Sequence, residues 1–147
     1  MNTFFKYLDL PKIPEYLLVD IASIEQQKNI YGIELPFYKQ FEVSNELYTF
    51  LKSIFDFEFS AQYQIIRKEL PIHKDRSRTE CINYLIDNGG ANSSLIIYNE
   101  DKTTVIHREQ IENFKWHWID VSKFHGVSGL QDSPRFSITV TPTEKTY

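Results

Sequence analysis

Pro71-Ile72-His73-Lys74-Asp75 is the stretch around which the chain is organised. In an extended strand, residues i and i+2 point to one face, so this spacing sets the His73 imidazole beside the Asp75 carboxylate. Joined by a second histidine, such a pair makes a two-histidine, one-carboxylate donor set that holds a divalent ion on one face and leaves its other positions open. By itself a three-residue pattern with one free position is weak, and a solvated strand end in the polar run His73–Arg78 reads the same way. Further along, Phe124-His125-Gly126-Val127 supplies a candidate third ligand, and Pro134-Arg135-Phe136-Ser137 places a cation on another strand.

The surroundings of that stretch predict the fold. Beyond Asp56 helical periodicity disappears, and Phe57–Phe59, Tyr63–Leu70, Cys81–Ile86, Leu95–Tyr98, Thr103–Ile106, Phe114–Ile119 and Phe136–Thr141 are short strand-like runs. Turn material such as Asp87-Asn88-Gly89-Gly90 and Asn99-Glu100-Asp101-Lys102 separates them. Many short strands at this spacing predict an antiparallel double-sheet barrel of jelly-roll or cupin type, a double-stranded β-helix. Upstream, residues 1–12 read as a strand or arm closed by Pro11. Pro14 suits a first helical position, and Leu17, Leu18, Ile21 and Ile24 predict a helix over 14–28. Residues 29–44 are extended in character, punctuated by Gly32 and Pro36. Ser44 or Asn45 would cap a second helix over 45–55, whose apolar face is Leu47, Phe50, Leu51 and Ile54. The expectation is one α+β domain over 1–147, with 1–59 bracing a barrel formed by 60–141.

Composition narrows the function classes. The 147 residues suit one domain with a core, and apolar and aromatic fractions of 41% and 15% exclude a disordered tail. A net charge of -4 gives no footing for phosphate neutralisation, so no nucleic-acid partner is expected. No apolar run approaches the roughly 18 residues of a membrane span, and the first residues lack the continuous apolar region of a secretory signal. Cys81 is the only cysteine, which excludes an intrachain disulfide and a thiolate-rich zinc site. A cytoplasmic protein without a membrane partner is the simplest reading, and the sequence sets no oligomeric state.

Arg135 to Val140 alternates as a strand does, with Arg135, Ser137 and Thr139 on one face and Phe136, Ile138 and Val140 on the other. A buried arginine there needs an anion. Asp132 or Glu112 could supply it, and a dicarboxylate held bidentately is the sharper alternative. His107 reads as exposed, and His117 as a satisfied barrel histidine facing away from Trp116 and Trp118. That tryptophan pair reads as core or a rim platform. Cys81 is expected to point outward, opposite an inward Tyr84.

The ordered set His73-x-Asp75, His125 and Arg135-x-Ser137 resembles the Fe(II)/2-oxoglutarate-dependent dioxygenase superfamily. Within it the chain resembles the prolyl hydroxylases, especially the oxygen-sensing animal branch, and it is also similar to short phage-encoded members. Tyr63 matches a family tyrosine ahead of the first metal histidine. Cys81-Ile82-Asn83-Tyr84-Leu85, with Arg78 just upstream, matches the family's Cys-Ile-Tyr-Tyr-Leu. Gly89-Gly90, Asp120 ahead of the distal histidine, and Arg135-Phe136-Ser137-Ile138-Thr139-Val140 complete the match over residues 60–141. Asn83 stands where the family has an aromatic residue, and the segment that grips substrate in the animal enzymes is short. With twelve residues after Arg135, no long closing C-terminal helix is expected.

The resemblance implies that His73, Asp75 and His125 hold Fe(II), with 2-oxoglutarate and dioxygen as co-substrates and ascorbate as a possible reductant. Arg135 would pair with the distal carboxylate of 2-oxoglutarate, helped by Tyr84 and by Ser137 or Thr139, while Tyr63 would line the pocket near the iron. The product side would be succinate, carbon dioxide and a hydroxylated protein or peptide side chain, with proline a candidate. The alternatives are the same chemistry on a free amino acid, small metabolite or nucleobase, for which Lys68, Lys74, Arg76 and Arg78 form a local basic patch, and a cupin-like binding module without turnover.

Overall fold

The computed structural model describes residues 3–27, 38–75, 78–130 and 133–143. In chain order it contains β1 (Phe5–Leu8), a 3-10 turn at Glu15–Leu17, α1 (Ile21–Ile24), β2 (Tyr38–Glu42), α2 (Asn45–Ile54), β3 (Phe59–Ile66) and β4 (Leu70–His73). There follow β5 (Glu80–Asp87), β6 (Ser94–Tyr98), β7 (Val105–Glu109), β8 (Trp116–Asp120), β9 (Phe124–Ser128) and β10 (Arg135–Pro142). They form two antiparallel sheets, one of six strands in the order β1-β8-β5-β10-β3-β2 and one of four in the order β4-β9-β6-β7. This is a double-stranded β-helix, and β10 fills the middle of the larger sheet.

Both faces of the larger sheet are covered, which explains its long buried strands. On the outer face Phe41, Tyr63, Ile65, Tyr84, Trp116, Phe136 and Ile138 pack with Leu47 and Leu51 of α2. Ser44 caps that helix, its Oγ accepting from Leu47 N at 3.1 Å, as the sequence predicts. Between the sheets a second cluster joins Phe5, Cys81, Leu85 and Ile119 to Leu95 and Ile97 of β6. Among the described residues no helix is long and apolar enough to cross a membrane.

The N-terminal helix is shorter than its periodicity predicts. Leu18 is extended, with φ -97° and ψ 146°, and stops the first turn. Asp20 then caps a new turn by accepting from Ser23 N at 2.8 Å, and α1 ends at Ile24. The apolar residues that suggested one long helix instead cover the sheet piecemeal, with Ile24 buried and Leu17, Leu18 and Ile21 packed around it. Lys28, Gly32 and Pro36 lie outside the described residues.

Candidate metal centre

Each member of the His73, Asp75 and His125 set is placed by a different device. His73 is the last residue of β4 and sits opposite His125 of β9 in the ladder. Asp75 lies beyond the strand end, anchored by its own N–H to the Val121 carbonyl at 3.2 Å. One ligand atom from each of the three residues lies within 4.8 Å of the others. Asp75 Oδ1 stands 3.3 Å from His73 Nε2 and 3.2 Å from His125 Nε2. Donors about 2.1 Å from a common ion and about 100° apart are separated by roughly 3.2 Å, so the spacing fits a small divalent ion. His73 Nδ1 meets the Pro71 carbonyl and His125 Nδ1 the Lys123 carbonyl, both at 2.7 Å. Those bonds assign a proton to each Nδ1 and turn each Nε2 toward Asp75 Oδ1, where a bound ion would take its lone pair, the usual arrangement of metal-binding histidines.

Arg78 completes the cluster. Its Nε donates to Asp75 Oδ2 at 2.6 Å, and its Nη1 to the hydroxyls of Thr139 and Thr141 at 2.9 and 3.0 Å. Burial opposes ionisation of Asp75, but bonds from His125 and His73 and the Arg78 charge outweigh it and hold the carboxyl well below the usual range. The bond to Asp75 is the main cause that raises the His73 pKa. The carboxylate is therefore ionised at any working pH, as a metal ligand must be.

Gly126 permits this pairing. A Cβ added there would lie 2.7 Å from the Leu70 carbonyl oxygen on β4, a backbone atom that can move only if the strand does. Gly126→Ala is expected to cost about 1–3 kcal/mol of stability, the range for overpacking. It should also weaken metal binding, because β4 carries His73. Urea unfolding and metal titration of the variant check both effects.

The triad opens onto a cavity of about 1500 Å³ between the sheets, whose wall also includes Arg135, His117, Asn83, Gln64 and Ser137. Arg135 is only 5% exposed. Its Nε donates to the Asn88 carbonyl at 3.3 Å and its Nη2 to Ser93 Oγ at 3.4 Å. Among the described residues no carboxylate lies within ion-pair distance of it; Glu112 pairs instead with Lys115 at 3.2 Å, and Asp132, like Arg76, lies outside the described residues. Burial pushes the guanidinium pKa down to about 10, which still leaves it charged at neutral pH. Ser137 shares the wall, while Thr139 is fully buried with its hydroxyl engaged by Arg78.

Three sequence expectations are corrected. Tyr84 does not face the cavity but packs on the outer face, 5.0 Å from the Trp116 ring, so it cannot reach a ligand beside Arg135. Tyr63 is likewise on the outer face, stacked on Phe136 at 5.4 Å, its hydroxyl accepting from Val19 N at 3.4 Å. Cys81 has the opposite parity to Tyr84 and therefore points inward, among the cavity residues. Both faces of β5 are buried, so apolar alternation gives two sets of residues without saying which faces inward.

The same parity exposes residues that the sequence reading missed. Asn83 Oδ1 and Gln64 Oε1 are buried in the cavity wall without hydrogen-bond partners, and the His117 ring is buried beside them. Asn83 is paired across the ladder with both Thr139 and His117, and Gln64 with Ser137. Burial, and after it the Arg135 charge, lower the His117 pKa to about 3, so the ring is neutral. The alternation Ser60, Gln62, Gln64 within β3 was the available signal: a polar stripe in a buried strand marks the cavity face and sends Tyr63 to the other.

No protein-family model and no curated protein matches the chain. Among solved structures it is similar to an oxidoreductase of the 2OG-Fe(II) oxygenase family from Burkholderia pseudomallei, with TM-score 0.57 and 8% identity over 82% of this chain and 73% of that one. It is also similar to Bacillus subtilis oxalate decarboxylase, studied for its Mn(II) centres, with TM-score 0.53 and 10% identity over 84% of this chain. A second structure of that decarboxylase, at pH 4.6, gives TM-score 0.51 and 11% identity over 81% of this chain. The chain spans only 30% and 28% of those two decarboxylase chains. At these identities the likeness concerns the fold, a cupin-type double-stranded β-helix.

Proposed function

We propose that this protein is an Fe(II)- and 2-oxoglutarate-dependent dioxygenase that hydroxylates an organic substrate. One observation carries the reading: a two-histidine, one-carboxylate donor set and a buried arginine without a described carboxylate partner share one cavity. A metal alone would not call for the second. The donor set suits iron, and iron supplies the activation of dioxygen that accompanies decarboxylation of 2-oxoglutarate to succinate. His73, Asp75 and His125 hold the ion. Arg135 pairs with the distal carboxylate of the co-substrate and Ser137 lies beside it. Leu85, Leu95, Ile119 and Val127 line the cavity as well and limit its water. Ascorbate fits as an external reductant that needs no site on the chain.

The substrate readings are a protein or peptide side chain, with proline one candidate, and a small polar molecule such as a free amino acid, another metabolite or a nucleobase. Gln40 of β2 and Ser60, Gln62 and Gln64 of β3 turn amides and hydroxyls into the cavity beside its apolar residues, so the wall carries contacts for either class. At about 1500 Å³ the space exceeds the roughly 300–1,000 Å³ of a single-ligand pocket, so substrate and co-substrate fit together.

Anaerobic titration with Fe(II) and 2-oxoglutarate tests the proposal. The expected result is a weak visible charge-transfer band that requires both additions and does not form with succinate. Succinate release would then be followed with proline-containing peptides and with free amino acids. Folded, metal-replete protein without the band would leave a binding module as the better description.

A further inference from the structure

We infer that Arg78 is a positioning residue of the metal centre, holding Asp75 as a one-oxygen ligand and tying it to β10. This rests on the metal-binding reading above. Asp75 lies beyond the end of β4, where the ladder no longer orients it, and its backbone anchor is one N–H bond to Val121. Something else must decide which carboxylate oxygen faces the histidines. Arg78 does so by occupying Oδ2 at 2.6 Å, which leaves Oδ1 as the oxygen beside both Nε2 atoms.

The other end of the guanidinium is fixed as well. Nη1 reaches Thr139 and Thr141, alternate residues on the cavity face of β10, the strand on which Arg135 and Ser137 lie. A carboxylate with both oxygens free could chelate the ion and occupy a position that a co-substrate needs. With Oδ2 engaged, Asp75 takes one position only. Lysine could replace the charge but not the geometry, because a single ammonium cannot reproduce a planar fork that meets a carboxylate at one nitrogen and two hydroxyls at another.

Mn(II) is the probe, titrated into the apo-protein and followed by the loss of its free-ion EPR signal and by the spectrum of the bound ion. Arg78→Gln is expected to weaken Mn(II) binding about 10- to 100-fold, the range for a partner that orients a ligand, and to change the bound spectrum as Oδ2 is released. Arg78→Lys is expected to recover only part of the affinity, and Thr139→Val, which leaves Thr141 in place, to cost a few-fold. Thermal unfolding of each apo-variant separates a general loss of structure from a loss at the metal. Folded Arg78 variants with wild-type affinity and spectrum would overturn the inference, as would full rescue by lysine; should the glutamine variant not fold, lysine and Thr139→Val decide. A wild type that binds no Mn(II) would overturn the metal reading, and this inference with it.

Discussion

Arg135→Met is expected to make the apo-protein more stable and, on the proposed role of Arg135, to weaken 2-oxoglutarate binding by roughly one to more than three orders of magnitude. A guanidinium kept charged at 5% exposure has lost most of its hydration, and its long bonds to a carbonyl and a hydroxyl replace little of it. Removing it strands no partner, because Ser93 Oγ already donates to the Asn88 and Gly90 carbonyls at 2.5 and 2.9 Å. Replacing buried charge by a well-packed apolar side chain stabilises proteins by about 1–4 kcal/mol, and methionine adapts to irregular space. Loss of a buried charge-assisted contact costs about 2–5 kcal/mol in binding, roughly 30- to 5,000-fold. Denaturant unfolding of the apo-form and titration of the charge-transfer band measure the two sides. A variant that is destabilised and still binds 2-oxoglutarate would mean that Arg135 serves the fold.

Asp75→Ala should be harmful in both respects. Metal affinity is expected to fall by more than the 10- to 100-fold typical of a residue that only supports a ligand. Stability should fall too, by about 3–5 kcal/mol, because Arg78 would be left buried without its carboxylate, its side chain only 15% exposed. His125→Ala should lose the metal with a smaller loss of stability, since it strands no charge. The Asp75 contribution has a defined pH window. Its carboxyl is held below its ordinary range, so the contribution is complete above about pH 4, the unfolded value, and declines as pH falls toward the lower native one. Unfolding free energies of wild type and Asp75→Ala should therefore differ fully at neutral pH and converge in strong acid. Equal stabilities at pH 7 would contradict the Asp75–Arg78 geometry.

What the sequence reveals divides along physical lines. The triad residues and Arg135 stand out because their residue types are costly to place together without a ligand, and the strand runs stand out by length and turn chemistry. The direction of β5 does not, since Cys81, Ile82, Tyr84 and Leu85 are all buried and either parity satisfies the hydrophobic pattern. Resemblance to a known strand then put Tyr84 inside, although the polar residue of that run, Asn83, shares parity with Cys81. The N-terminal helix failed for a different reason: apolar spacing cannot distinguish one helix from two short turns that cover the same sheet. His117 looks like an ordinary barrel histidine, and its place in the cavity wall beside Arg135 is visible only in three dimensions.

The place of β10 between β3 and β5 sets the order in which the chain can be assembled. Arg135 pairs with Ile66 and Pro142 with Phe59, while Val140 pairs with Ile82 on the other side. Neither neighbour can join the other until a strand encoded far downstream has been synthesised. A ribosome-bound chain would carry β3 and β5 with open edges, the state most prone to intermolecular strand pairing. Such long-range closure is slow, so the element that presents the buried arginine is also the latch that ends the aggregation-prone phase of folding.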